Sequence, residues 1–166
     1  MILRSEIATY FQLERAWTWG LAVFGLLALL LAGYLWFAKG PWRGAALPIG
    51  LFALVELGIG ITVAVRSPAQ AAELVRQASA GEDLGPERVR MEGVARTFAI
   101  VKLAELVLIA VGIALIYGLS GHRFAVAIGL GLVVQCSALF AFDLVAASRA
   151  EAYRGALLAA ASGPRS

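Results

Sequence analysis

Residues 45–65 read AALPIGLFALVELGIGITVAV, a run of 21 residues with one charged side chain, Glu56, at its centre. An α-helix rises about 1.5 Å per residue, so a run of this length crosses a hydrocarbon core about 30 Å thick. Three further runs have the same character: 17–37 before it, then 97–117 and 124–147 after it. Inside lipid no water is present to satisfy backbone groups, and runs of this length suit helices rather than barrel strands. The expected fold is an all-α membrane protein, a four-transmembrane-helix bundle made of two helical hairpins.

Composition agrees with that reading. Apolar residues make up 61% of the chain and charged residues 15%, far from the roughly half and roughly quarter of soluble domains. The first run is longer than a secretory signal core, and Glu6 and Glu14 occupy what would be its basic leader, so it reads as a retained span.

Charge flanking the runs predicts orientation. Ten of the 14 basic residues, among them Arg4, Arg15, Arg76, Arg154 and Arg165, lie on the side of the termini and the long middle segment. Only Lys39, Arg43 and Arg123 lie on the other side. The positive-inside rule then places both termini in the cytoplasm, with the chain integral to a plasma (inner) membrane. Trp36, Trp42, Tyr34 and Tyr117 mark the outer boundary, while Trp17 and Trp19 mark the inner one. The short outer turns, 38–44 with Gly40, Pro41 and Gly44 and 120–123 with Gly121, require antiparallel neighbours.

The segments outside the runs divide the chain further. Residues 1–16 carry Leu3, Ile7, Tyr10 and Phe11 at helical spacing and read as an interfacial amphipathic helix ahead of the hairpin at 17–65. In the helical loop at 66–96, Ser67 and Pro68 read as a helix start, and the helix they open is expected to lie along the membrane surface until Gly81 through Pro86 break it. Beyond that break the third span projects below the bilayer, with Glu87, Arg88, Arg90, Glu92 and Arg96 solvated. Hairpin 97–147 and an amphipathic tail at 148–166 complete the chain. The two halves also share a pattern: Ile49, Gly50, Leu51 and Glu56 recur 79 residues later as Ile128, Gly129, Leu130 and Gln135. Such an offset is what a parallel repeat about the membrane normal produces, and equally what the abundance of Gly and Leu in spans produces by coincidence.

The candidate functional residues are the polar side chains at membrane depth. An ionised carboxylate there costs at least about 2.5 to 3.5 kcal/mol, so Glu56 must be protonated, paired or facing water. Lys102 and Glu105 are three apart on one helix face and are expected to pair. Gln135 and Asp143 share a face of the fourth run, with Asp143 near the inner boundary. Facing inward, the five make a polar track from the inner edge to mid-depth, suited to binding or proton exchange and also to holding helices together. Arg66, Arg88, Arg90, Arg96 and Arg149 form a candidate face for anionic lipid or a protein partner.

Other chemistry lacks its residues. One histidine, His122 in a turn, and one cysteine, Cys136 in mid-span, give no metal or haem ligand set, and no phosphate-cradling loop or nucleophilic triad is present. No cofactor, no metal and no nucleic-acid partner are expected. The sequence therefore points to a non-catalytic accessory or interaction subunit that contacts anionic headgroups on the inner face and assembles as a homodimer or within a larger membrane complex. The alternative is a proton-linked transporter or ion-conducting homodimer using Glu56 and Glu105.

Overall fold

A computed structural model describes residues 2–162 as four helices: α1 (Ile2–Phe37), α2 (Arg43–Ala80), α3 (Gly85–Gly118) and α4 (Arg123–Ser162). Met1, residues 163–166 with Arg165, and the side chain of Ile2 lie outside the described residues. All four helices are long and apolar enough to span a membrane. Leu30, Leu103 and Phe37, each more than 60% exposed, illustrate the apolar surface they turn outward.

The helices are longer than spans. At 36, 38, 34 and 40 residues, each exceeds the roughly 20 needed to cross a bilayer, leaving about 14 to 20 residues, or about 20 to 30 Å, to project beyond it. Here the structure corrects the sequence reading. Segments 2–16, 66–80 and 148–162 are not separate helices but continue α1, α2 and α4 without a break. Their apolar stripes face one another: Ile7 and Phe11 of α1, Leu74 of α2, Met91 of α3, and Ala150, Tyr153 and Leu157 of α4 form one buried cluster. A stripe that meets three other stripes buries much of its area inside the protein instead of against a membrane surface.

Ser67 and Pro68 show why α2 does not begin there. Ser67 is fully buried in mid-helix, its hydroxyl 2.8 Å from the carbonyl oxygen of Val63 and 2.6 Å from Glu14 Oε2 on α1. Pro68 removes one backbone donor, and packing along both sides carries α2 through it. The helix stops at Gly81, whose left-handed backbone (φ 71°) lets its N–H reach the Gln77 carbonyl. Glu82 N–H bonds the same carbonyl at 3.0 Å, and Pro86 sits at the start of α3.

Small residues set the helix spacing. A methyl group added to Gly60 would lie 2.7 Å from the Thr18 carbonyl oxygen, and one on Gly25 would lie 2.9 Å from that of Ala53, so α1 runs tightly along α2. Gly112 and Gly129 bring α3 equally close to α4. Gly44 and Gly131 seat α2 against α4, with Ala127 buried between them. The small-residue pair Ala127 and Gly131 thus serves packing within the chain. Helix α1 also touches α4, whereas α3 has backbone contact with α4 alone.

α2 and α4 run parallel, with an offset of 83 near the short turns, where Gly44 meets Ala127 and Pro48 meets Gly131, and of 79 at Glu56 and Gln135. Glu56 and Gln135 meet across this contact. Ala71 and Leu74 share the buried cluster with Ala150 and Tyr153, which stand at the same offset.

Candidate functional site: an intramembrane polar layer

Glu56, Glu105 and Gln135 lie about 18 to 20 Å along α2, α3 and α4 from the ends that carry the two short turns, near the middle of a hydrocarbon core. All three are buried, Glu56 at 1% exposure and Glu105 at 4%. The tight α1–α2 and α3–α4 contacts close over them, and Gly25 lies directly against the Cβ of Glu56.

Gln135 Nε2 donates to Glu56 Oε1 at 2.5 Å, which satisfies one oxygen of the carboxyl. Glu56 Oε2 has no hydrogen-bond partner, and neither does Glu105 Oε2. Helix α4 links the two acids: next to Gln135, Cys136 is fully buried with both Glu105 and Glu56 among its electrostatic neighbours. Gln135 and Asp143 thus stand on α4, with Glu56 of α2 held at Gln135.

The expected pairing of Lys102 with Glu105 is not what the structure shows. Among the described residues no ion pair includes Lys102 or Glu105; the two are only electrostatic neighbours of Asp143 on α4. Lys102 and Asp143 are both half-buried.

The two described cavities lie elsewhere. One of about 470 Å³ is lined by Leu3, the 81–84 turn, Arg88 and the end of α4, and one of about 260 Å³ lies between Phe11 and Pro68. Neither reaches Glu56 or Glu105.

The five arginines do not form one face. Arg90 makes two 2.7 Å hydrogen bonds to Glu87 and lies over the Phe11 ring, so Glu87, expected in solvent, is 5% exposed. Arg149 Nη1 donates to the Leu13 carbonyl at 2.9 Å and covers the Trp17 ring. Arg88 pairs with Asp83 at 3.3 Å. Arg66 and Arg96 remain exposed.

Sequence reasoning missed the polar network inside the projecting bundle. Tyr10 donates to Glu14 at 3.2 Å and stacks on Tyr153 at 4.3 Å, while Glu14 also receives the Ser67 hydroxyl. Burial raises the pKa of both tyrosines, helped by Glu14 at Tyr10 and by Glu87 at Tyr153. The signal was present in the stripe of Ala150, Tyr153 and Leu157, but nothing local named its partners. His122 is exposed in its turn, its N–H bonding the Leu119 carbonyl at 2.8 Å. Among the described residues no three His, Cys, Asp or Glu side chains are grouped to hold a metal ion.

No protein-family model matches the chain, and no curated protein or solved structure is similar to it.

Proposed function

We propose that the chain is a non-catalytic interaction subunit of an inner membrane, built as two helical hairpins with both termini and the projecting bundle in the cytoplasm. One observation carries this reading: all four helices continue beyond their spans into a shared core around Met91 and Ile7, which makes a rigid platform attached to a membrane anchor. A rigid platform presents a partner with a preformed surface and loses little conformational entropy on docking. The exposed Arg66 and Arg96 stand where anionic headgroups meet the platform, and each adds about 1 kcal/mol of attraction near a charged leaflet. In this role the Glu56–Gln135 bond holds α2 and α4 in register, as an interhelical hydrogen bond in lipid does.

A second reading is supported by the unpartnered oxygens of Glu56 and Glu105. Buried carboxyls that each keep an unpartnered oxygen at mid-membrane suit a proton-linked transporter in which these two acids exchange protons. A pH-jump flux assay in liposomes separates the two. The interaction reading expects the native chain, Glu56→Gln and Glu105→Gln to leak no more than empty vesicles. Flux in the native chain that either substitution abolishes would replace it with transport. Site-specific photocrosslinking from exposed platform positions such as Glu6 and Val89, in native membranes, tests the platform directly. A discrete adduct of constant mass is expected, and its absence at every platform position would count against an interaction role.

A further inference from the structure

Helices α1 and α2 leave a groove along one side of the projecting bundle. Its floor is apolar: Ala8 and Phe11 of α1 face Pro68, Ala72 and Val75 of α2 around the cavity of about 260 Å³. Small side chains give this floor little relief, and helices pack closest over such surfaces. Arginines stand at both ends. Arg15 lines the end nearer the spans. Arg4, 11 residues and three turns away on the same face of α1, reaches across the other end to the Ser79 carbonyl oxygen of α2 at 3.5 Å. Both arginines are exposed, and among the described residues neither is in an ion pair. No carboxylate lines the cavity. Glu6, two residues from both Arg4 and Ala8, is on the far side of α1. Glu14 is occupied by the hydroxyls of Ser67 and Tyr10, and Glu73 by Arg76 and Gln77.

The groove runs away from the bilayer. Arg15 is two residues from Trp17, where the first span begins, and Arg4 is 13, which is about 20 Å along a helix. A headgroup layer extends only about 5 to 8 Å beyond the hydrocarbon core, so lipid reaches one arginine and not the other. An apolar trough about 16 Å long with an unanswered cation at each end matches a helix that carries an apolar stripe and acids.

We propose that the α1–α2 groove docks an acidic amphipathic helix of a partner protein, its apolar stripe on Phe11, Ala72 and Val75 and its carboxylates, about three turns apart, on Arg4 and Arg15. The proposal rests on the interaction reading above and names the face and the partner chemistry that serve it. On docking, Arg4 exchanges its long contact with Ser79 for a charge-assisted hydrogen bond.

Two synthetic helical peptides with one apolar stripe, the first carrying glutamates at the spacing of Arg4 and Arg15 and the second lysines, are titrated by fluorescence anisotropy against the full chain in zwitterionic nanodiscs. The glutamate peptide should bind about tenfold tighter, from two exposed charge pairs gained and two like-charge pairs avoided. Arg4→Glu with Arg15→Glu should invert the preference. Ala72→Trp, which fills the groove from an exposed position, should abolish binding of the glutamate peptide, while Val89→Trp leaves it unchanged. Circular dichroism identifies any variant that does not fold, and the comparison of the two peptides needs no variant. A photocrosslinker at Ala72, and separately at Val89, in native membranes then identifies the natural occupant. A protein adduct at Ala72 that Arg4→Glu with Arg15→Glu removes is expected. Adducts at Val89 with none at Ala72 would sink the groove and spare the interaction role, whereas none at either position would count against both. An adduct of lipid mass, or one of twice the mass of the chain, would replace the partner with lipid or with a second copy. Equal affinity for the two peptides, binding that survives Ala72→Trp, or an adduct that the double arginine variant keeps would also overturn the proposal.

Discussion

Gln135 donates its side-chain amide to the Glu56 carboxyl across the contact of α2 and α4, joining two residues that stand 79 positions apart. The same offset relates Ala71 to Ala150 and Leu74 to Tyr153 in the cluster beyond the spans. Nearer the short turns the offset widens to 83, where Gly44 meets Ala127 and Pro48 meets Gly131, so the polar bond lies where the two halves of the chain meet but the contact does not hold one offset along its length.

Exchanging the two residues tests that relationship. The double variant Glu56→Gln with Gln135→Glu keeps one donor and one carboxyl at the contact, and should retain native resistance to unfolding in detergent. Gln135→Leu leaves the Glu56 carboxyl with no partner and should lose about 1 to 3 kcal/mol, the usual cost of stranding a buried polar group. A double variant as unstable as Gln135→Leu would show that the two positions are not equivalent.

Close helix approach depends on missing side chains at Gly60 and Gly112. Gly112→Val should push α3 from α4, because even a Cβ at that position meets the Gly129 carbonyl oxygen at 2.7 Å. Overpacking of this kind costs about 1 to 3 kcal/mol, while Gly58→Val, in open space, should change little. Equal unfolding midpoints for the two variants would contradict the packing described.

The projecting bundle should behave as a packed core, not as surface helices. Met91→Ala and Ile7→Ala remove fully buried side chains and should each cost about 2 to 5 kcal/mol, whereas Val89→Ala, at 69% exposure, should cost little. Hydrogen exchange supplies a second readout: amides of residues 5–15 and 70–78 should be protected in the native chain and exposed in Met91→Ala.

Alkaline pH should loosen the same bundle. The pKa values of Tyr10 and Tyr153 are raised in the folded state, so the stability linked to their neutral form is complete below the ordinary tyrosine value near 10 and falls as pH climbs above it. Tyr10→Phe with Tyr153→Phe should flatten that decline in thermal unfolding followed between neutral and alkaline buffer.

Acid titration gives an exposed counterpart. Hydrogen bonds from Arg76 and then Gln77 lower the Glu73 pKa to about 2, so its ion pair persists above the ordinary glutamate range and is lost only as pH falls toward about 2. Carboxyl carbon shifts measured by NMR should place the Glu73 midpoint there, and Arg76→Ala should return it toward the usual range.

Much of the architecture was legible in the residues. Runs such as 45–65 announce spanning helices because lipid forces a backbone to satisfy its own hydrogen bonds, whatever the helix packs against. Breakers also acted locally, as Gly81 and Pro86 show, since a left-handed residue and a fixed φ need no distant partner. The intramembrane acids were visible by type and depth for the same reason: solvation cost depends on the surrounding medium.

What the sequence alone determined, then, is how many helices cross, where they turn and which polar groups are carried to mid-depth, all of them properties of short stretches in a given solvent. Only the tertiary structure decided partners. Periodicity showed that Ile7, Leu74, Met91 and Tyr153 each have an apolar face, yet not that those faces meet each other rather than a bilayer surface. Spacing put Lys102 and Glu105 on one helix face, yet no ion pair joins them among the described residues. Pairing energies fall steeply with distance between side chains, and that distance is set by how helices remote in sequence approach at glycines such as Gly112 and Gly129.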